Sequence, residues 1–524
     1  MTSANRTLPA TIGIIILAAL IYWPSLGGEF IVDDRLWATQ PAPVLAEVLN
    51  RAFLSWGFNE SVTGIAGPPI FRPVANLLIG VEHWAFGDNP LPYRLVALLL
   101  HSLNAVLVLA LLARLFPSAA FGLRLWGAIL FLAHPALVES VAWISASAEL
   151  FMTSFVLAAV LFFLRATTTR RATDRAAFAV FAVAAILSKE AALALPLILV
   201  LVQHFRRAPL WAPEIIGAAV MVAAYLVWRQ LAIGNHGTID ALAIVPTRTL
   251  AFALAHFRYL ALPGQQPFSV ASPGVAVAAS APAWVSLGLL FGVLALALRF
   301  PKDWLRPVLL GLGWISLALW PAYAIALVGD GYFAGRHAYL PAVGLAILAT
   351  ALFSPVPAAH RPIPAALAVA SAVTLAGLSF VASGQWSSNL TAYQRAIALS
   401  PQASGPWTGL GQAHLERGQF GEAAQAFQAA LSKERNVQRE REIRYLLALA
   451  LAQQGRLDES SRELHRVTQL DPRDSSAWNG LGNNAWAGGR PDLAEQYYRE
   501  ALRVRPDNDE ARSNLSAMLR ARAR

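Results

Sequence analysis

Apolar runs fall at 9–27, 93–113, 121–135, 148–165, 176–188, 191–205, 212–230, 284–300, 307–328, 338–354 and 364–382, separated by polar or basic connections. About 20 apolar residues carry an α-helix across a ~30 Å hydrocarbon core. The pattern predicts an all-α, polytopic membrane bundle of about 11 spans over residues 1–382. The first run has no small-residue cleavage site before Glu29-Phe30, so it reads as a retained anchor. Extracytoplasmic loops are expected at 28–92 and 231–283. One further apolar stretch, Leu250–Leu262, contains His256 and Arg258 and precedes Pro263-Gly264. It is read as re-entrant or interfacial, because only then do all basic loops fall on one side.

Beyond residue 382 the pattern changes to short amphipathic helices in pairs. Trp407-x-x-Leu410-Gly411-x-x-His414 with Ala423-x-x-x-Phe427 recurs as Trp478-x-x-Leu481-Gly482 with Ala494-x-x-x-Tyr498 and Pro506. Leu447-Ala448, Gly455, Leu464 and Pro472 form a degenerate copy between them, and Tyr393, Ala396 and Pro401 a partial leading one. This is the tetratricopeptide pattern. Repeat starts near 404, 441 and 475 are spaced by 37 and 34 residues, the first interval being stretched by the charged segment Glu434–Glu442. Residues 383–524 are therefore expected to form a C-terminal tetratricopeptide-repeat α-solenoid whose groove takes a peptide. A stalk or dimerisation arm is an equally weighted use of the same fold.

Composition supports the division. The 524 residues are 56% hydrophobic and 14% charged. From Ser383 onward there are 19 Lys/Arg and 16 Asp/Glu, the charge density of a water-exposed domain. The net charge of +10 does not point to nucleic acid, because the basic residues of the first part sit in short loops between spans. Arg6, Arg114, Arg124, Arg165 through Arg175, Arg206-Arg207, Arg299 through Arg306, and Arg361 should face the cytoplasm, with the N-terminus. The repeats are then extracytoplasmic. The absence of cysteine excludes disulfides and thiolate metal sites.

The unusual polar residues collect on the side opposite the basic loops. Asp33 and Asp34 follow the first helix; they read as a solvated pair or a cap, or as a base for an acceptor hydroxyl. They are also the candidate ligands of a divalent cation, Mg or Mn. Arg72, in Phe71-Arg72-Pro73, is an interfacial anchor or a bidentate phosphate ligand. His134-Pro135 marks a helix end, and Glu139 follows in a short apolar loop where a carboxylate needs a partner. Glu149 stands at the mouth of the next span. Lys189-Glu190 lies between two apolar runs; the plain reading pairs the two with each other, although charges at membrane depth are functional candidates. Arg336-His337 and Tyr339 complete the set. Arg and Lys of this face suit a lipid-linked phosphate, and the carboxylates suit an acceptor.

The ordered set Phe30-x-x-Asp33-Asp34, Phe71-Arg72-Pro73, His134-Pro135-x-x-x-Glu139-Ser140-Val141-Ala142, Ser188-Lys189-Glu190 and Arg336-x-x-Tyr339-Leu340-Pro341, followed by the repeats, carries a resemblance. It resembles the transmembrane and tetratricopeptide-repeat-containing glycosyltransferases, GT-C enzymes related to the protein O-mannosyltransferases. The resemblance implies a GT-C-like bundle and transfer of a sugar, with mannose as the family's suggestion. The donor would be a polyprenyl-phosphate-linked sugar and the acceptor an extracytoplasmic protein hydroxyl or glycan. It implies a catalytic carboxylate at Asp33 or Asp34, with Glu139 beside it. Arg72, His134, Lys189, Glu190, Arg336 and His337 would bind the donor phosphate or shape the sugar pocket. The stretch Trp143 to Glu149 departs from the Gly-Arg-Ala-Asp-like segment of eukaryotic relatives. High Ala and Arg content suggests a bacterial source, hence the inner membrane with a periplasmic outer side. A non-enzymatic membrane-anchored scaffold, a transporter, and a polysaccharide polymerase or ligase are the competing readings.

Overall fold

The computed structural model describes residues 4–32, 34, 72–233, 260, 270–271, 302–326, 332–333, 335–354 and 362–523. The expected span 284–300 and the non-spanning reading of Leu250–Leu262, apart from Leu260, lie outside these residues. Contacts divide the chain into two compact units, Met1–Ser388 and Asn389–Arg524.

The first unit is a helical bundle. Its described α-helices are α1 (Ala4–Leu26), α2 (Pro73–Phe86), α3 (Pro90–Leu115), α4 (Phe121–Ala133), α5 (Val138–Ala142), α6 (Ala148–Thr169), α7 (Ala172–Ile186), α8 (Leu195–Phe205), α9 (Pro213–Ile233), α10 (Lys302–Ala326), α11 (Pro341–Phe353) and α12 (Pro362–Gly384). Among the described residues five helices are long and apolar enough to cross a membrane, or six when a bent pair counts as one span. Of the other described expected spans, α7, α8 and α11 are shorter helices of 15, 11 and 13 residues, while α10 has 25. Residues 73–86, expected within a loop, form the 14-residue helix α2.

The bent pair is the main departure from the predicted pattern. The run 121–135 ends as helix at Ala133, and the chain turns by 47° into Pro135–Ala142. Proline has no N–H to continue the helix ladder, and His134 Nδ1 instead accepts from the Ala136 amide at 3.2 Å. The stretch behind it, expected as a loop, is almost wholly buried. Buried backbone needs internal partners, and the short helical turns Pro135–Leu137, Val138–Ala142 and Ile144–Ala146 supply them.

Two contacts show how the core closes. α1 and α12 are neighbours, with Ser383 Oγ donating to Ile21 O at 3.0 Å. α10 and α11 cross backbone to backbone: a Cβ on Gly344 would lie 2.6 Å from Gly311 O. Small residues at such crossings let helices pack closely where no hydrophobic effect separates helix from lipid.

In the second unit, α13 (Asn389–Leu399) leads the pairs α14 (Ser404–Glu416)/α15 (Phe420–Leu431), α16 (Val437–Gln453)/α17 (Leu457–Leu470) and α18 (Ser475–Ala487)/α19 (Pro491–Val504), and α20 (Asp509–Arg522) closes them. The turns inside the pairs hold Gly418, Gly455 and Gly489 at φ between 71° and 74°, a region glycine enters without steric penalty. Those glycines keep the 37- and 34-residue spacing read from the sequence. The second repeat begins at Val437, before the expected 441, because part of the charged segment joins α16. That helix has 17 residues against 13 in α14 and α18. Asn436, Asp474 and Asn508 cap α16, α18 and α20 by accepting a backbone N–H three residues on.

Candidate functional site

The chain leaves α1 through Gly27-Gly28 and is pinned at once. Arg94, buried in the second turn of α3, donates to Ser25 O, to Glu29 O at 2.6 Å and to Trp386 O at 3.4 Å. Asp34 follows, 1% exposed. Its Oδ2 accepts from Ile31 N at 3.1 Å. Its Oδ1 accepts from Ser145 N at 2.9 Å and Ser145 Oγ at 2.8 Å. Asp34 thus ties the first loop to the buried turn before α6. Asp33 lies outside the described residues.

The segment bent at His134-Pro135 carries the next two candidates in opposite ways. His134 is enclosed by backbone: Nδ1 accepts from Ala136 N, which leaves Nε2 to donate to Leu260 O at 3.0 Å. Both ring nitrogens serve the fold. Glu139 instead accepts from Arg336 Nη1 at 3.2 Å. The Arg336 guanidinium lies 4.8 Å above the Trp143 ring, which stacks on Trp386 at 5.8 Å. A cation over an indole face is favourable, and the stack fixes where the guanidinium stands.

Lys189 and Glu190 do not pair with each other. Lys189 has extended backbone, φ −164° and ψ 150°, so successive side chains point to opposite sides. Lys189 Nζ donates to Glu149 Oε1 at 2.6 Å, and His337 Nδ1 lies 3.3 Å from the same oxygen. Glu190 accepts from Arg72 Nε at 2.9 Å and Nη2 at 2.7 Å, a fork-like pair. Burial pushes the Lys189 ammonium down to about 8; Glu149 opposes the shift, while Arg72 and Arg336 add to it. Burial likewise lowers His337 to about 4, against the pull of Glu149.

These pairs form two layers. In each, the carboxylate is the deeper partner: Arg336 is 25% exposed over Glu139 at 3%, His337 22% over Glu149 at 2%, and Arg72 21% over Glu190 at 10%. The accessible surface presents the Arg72 and Arg336 guanidinium groups beside the neutral His337 imidazole, and the buried carboxylates beneath hold them in place. Such a surface suits a phosphate, since each cation has more donors than its carboxylate uses. Asp34, Glu139, Arg72, Lys189, Glu190, Arg336 and His337 therefore stand at one end of the bundle. The opposite end gathers the basic loops, with Arg165–Asp174 at 3.2 Å and Arg175–Glu214 at 2.9 Å.

Some of what builds this end was not in the candidate set. Glu149 is the hub for two partners, and only its place at a helix mouth signalled it. Ser145 and Trp143 lie in the segment where the chain departs from the family pattern. Arg94 looked like an ordinary basic residue at a helix start. Of the two candidate ligands of a divalent cation, Asp33 lies outside the described residues, and the Asp34 oxygens accept from the Ile31 and Ser145 N–H groups and the Ser145 hydroxyl.

Comparison with known proteins bears on the repeats and on the chain as a whole. Residues 374–439 and 445–511 match the model of the tetratricopeptide repeat. The chain is 32% identical over 197 residues to a protein O-mannosyl-transferase of Drosophila melanogaster, covering 37% of this chain and 22% of that protein. A protein O-mannosyl-transferase of Caenorhabditis elegans is 29% identical over 156 residues, covering 28% of this chain and 22% of its own. One from Xenopus laevis is 28% identical over 155 residues, covering 29% and 18%. The chain thus matches about a fifth of the length of these relatives. It is a helical membrane protein with tetratricopeptide repeats that is similar, over part of its length, to the protein O-mannosyl-transferases.

Proposed function

We propose that this chain is an integral-membrane glycosyltransferase of GT-C type. It takes a sugar, mannose by the likeness of its relatives, from a polyprenyl-phosphate donor and passes it to a protein hydroxyl on the extracytoplasmic side. The observation that carries this reading is the pair of guanidinium groups of Arg72 and Arg336, with the buried Lys189 ammonium and the His337 imidazole, over buried Glu190, Glu149 and Glu139 at one end of a membrane bundle. A lipid-borne phosphate arrives at that depth, and preorganised cations stabilise the charge that develops as it leaves.

The transfer is inverting. The acceptor oxygen attacks the anomeric carbon, the bond from that carbon to the phosphate oxygen breaks, and the polyprenyl phosphate departs with the electron pair. The hydroxyl proton goes to a carboxylate of the Asp33–Asp34 pair. Asp34, accepting three hydrogen bonds, is a firm anchor for the loop. The bundle sits in a bacterial inner membrane with its N-terminus cytoplasmic, and the repeats hold the acceptor polypeptide in the periplasm.

The test uses membranes from cells lacking the gene, complemented with the native chain, Asp33→Asn or Asp34→Asn. They are supplied with polyprenyl-phosphate mannose, and label is followed into protein, lipid and glycan. Label restored in protein by the native chain and lost in one Asp variant that is expressed and unfolds at the native temperature supports the reading and identifies the reacting carboxylate. Equal label in every strain, with several donor sugars, would sink it.

A further inference from the structure

The end of the bundle remote from the candidate site carries a feature that sugar transfer does not use. Helices α8 and α9 and the connection 206–212 leave between them an apolar groove of about 560 Å³, lined by Val200, Leu210, Trp211, Ile216, Ala219 and Ala223 among others. Its mouth is at the basic end. Arg206 and Arg207 are both exposed there, and Arg206 reaches Thr167 Oγ1 of α6 at 3.2 Å. Arg207 sits at φ 56°, an uncommon conformation for a side chain of its size, in the turn that leads into the groove-lining residues Leu210 and Trp211.

Three properties say what fits. From Ile215 to Ala223 the groove follows eight residues of helix, about 12 Å, most of one leaflet of a ~30 Å hydrocarbon core. Trp211, 86% exposed, stands at its mouth, where tryptophan marks the membrane–water boundary. The stretches 165–175 and 206–214 carry six arginines against Asp174 and Glu214, so this end keeps a positive surplus. Basic pockets between membrane helices on this kind of face bind anionic head groups.

We propose that the groove holds an acyl chain of an anionic glycerophospholipid from the leaflet at this end, with its phosphate against Arg206 and Arg207. The site rests on the membrane reading of the bundle and is independent of the transferase reading.

The experiment is native mass spectrometry of the full chain in detergent, with phosphatidylglycerol or phosphatidylcholine of the same acyl composition added. The chain should retain phosphatidylglycerol in preference. Arg206→Gln and Arg207→Gln should each weaken that preference about fivefold, the size of one basic residue at an anionic surface. Ala219→Trp fills the groove from an exposed position and should abolish retention of both lipids. Ala223→Trp, one turn deeper, replaces it if that variant fails to fold. Equal retention of the two lipids by the native chain would overturn the proposal. So would a preference unchanged in the Arg206→Gln/Arg207→Gln double variant, or retention undiminished in a folded groove-filling variant.

Discussion

At the scale of single residues, Glu149 shows why buried charge comes in sets. It takes a 2.6 Å bond from Lys189 and lies 3.3 Å from His337. Removing one partner of a buried pair leaves the other charge uncompensated, at about 3–5 kcal/mol. Glu149→Gln should therefore lower the unfolding temperature markedly in detergent. The double variant Glu149→Gln/Lys189→Met should regain most of that loss while remaining inactive in sugar transfer. Full activity in the double variant would show that neither charge serves the donor. The pH dependence follows from the same lysine. With Lys189 lowered to about 8 from the ordinary lysine range, its ammonium is present below that pH and lost above it. If the ammonium meets the donor phosphate, transfer should decline as pH rises through about 8. Lys189→Arg, which stays protonated, should keep its rate to higher pH. A native profile that stays level well into the alkaline range would remove Lys189 from that role.

At the scale of elements, the parts differ in how far the sequence reveals them. The repeats were legible because one packing problem recurs locally: a small residue, a large residue and a turn glycine at fixed offsets. Only the start of α16 moved, since a charged stretch reads equally well as linker or as an extra helical turn. The charged residues at the candidate-site end were legible as candidates, but their pairing was not. Arg72 meets Glu190 across 118 positions and Arg336 meets Glu139 across 197, and no local pattern encodes such partners. Lys189-Glu190, adjacent in the chain, instead part company because the backbone between them is extended. The crossing of α10 and α11 was equally hidden, a glycine in each of two distant apolar runs. Gly344→Ala places a Cβ 2.6 Å from Gly311 O and should cost about 1–3 kcal/mol through overpacking. Gly13→Ala in α1, where a Cβ meets nothing within 4 Å, should be neutral or slightly stabilising. Thermal unfolding of the two variants side by side checks this. Equal behaviour would mean that α10 and α11 do not meet at these glycines.

At the scale of the whole molecule, the proposal has a polarity that can be measured without any knowledge of substrate. The arginine-rich connections and the carboxylate-supported cationic layer occupy opposite ends of the bundle. Loops rich in Lys and Arg are retained in the cytoplasm. The ends of α6 and α7 near Thr173 should then be cytoplasmic, and the repeats, which follow the last helix of the bundle, extracytoplasmic. The chain has no cysteine, so any introduced thiol reports its own position without background. Thr173 and Ser476 are both exposed, and a cysteine at either leaves the core untouched. In intact spheroplasts a membrane-impermeant maleimide should label Ser476→Cys and spare Thr173→Cys; after permeabilisation it should label both. The reverse pattern would turn the bundle over and carry the cationic layer to the cytoplasmic face, where an extracytoplasmic acceptor cannot reach it. Labelling of both in intact spheroplasts would show an odd number of crossings too few or too many between the two positions, and the span order would need revision before any chemistry is assigned to either end.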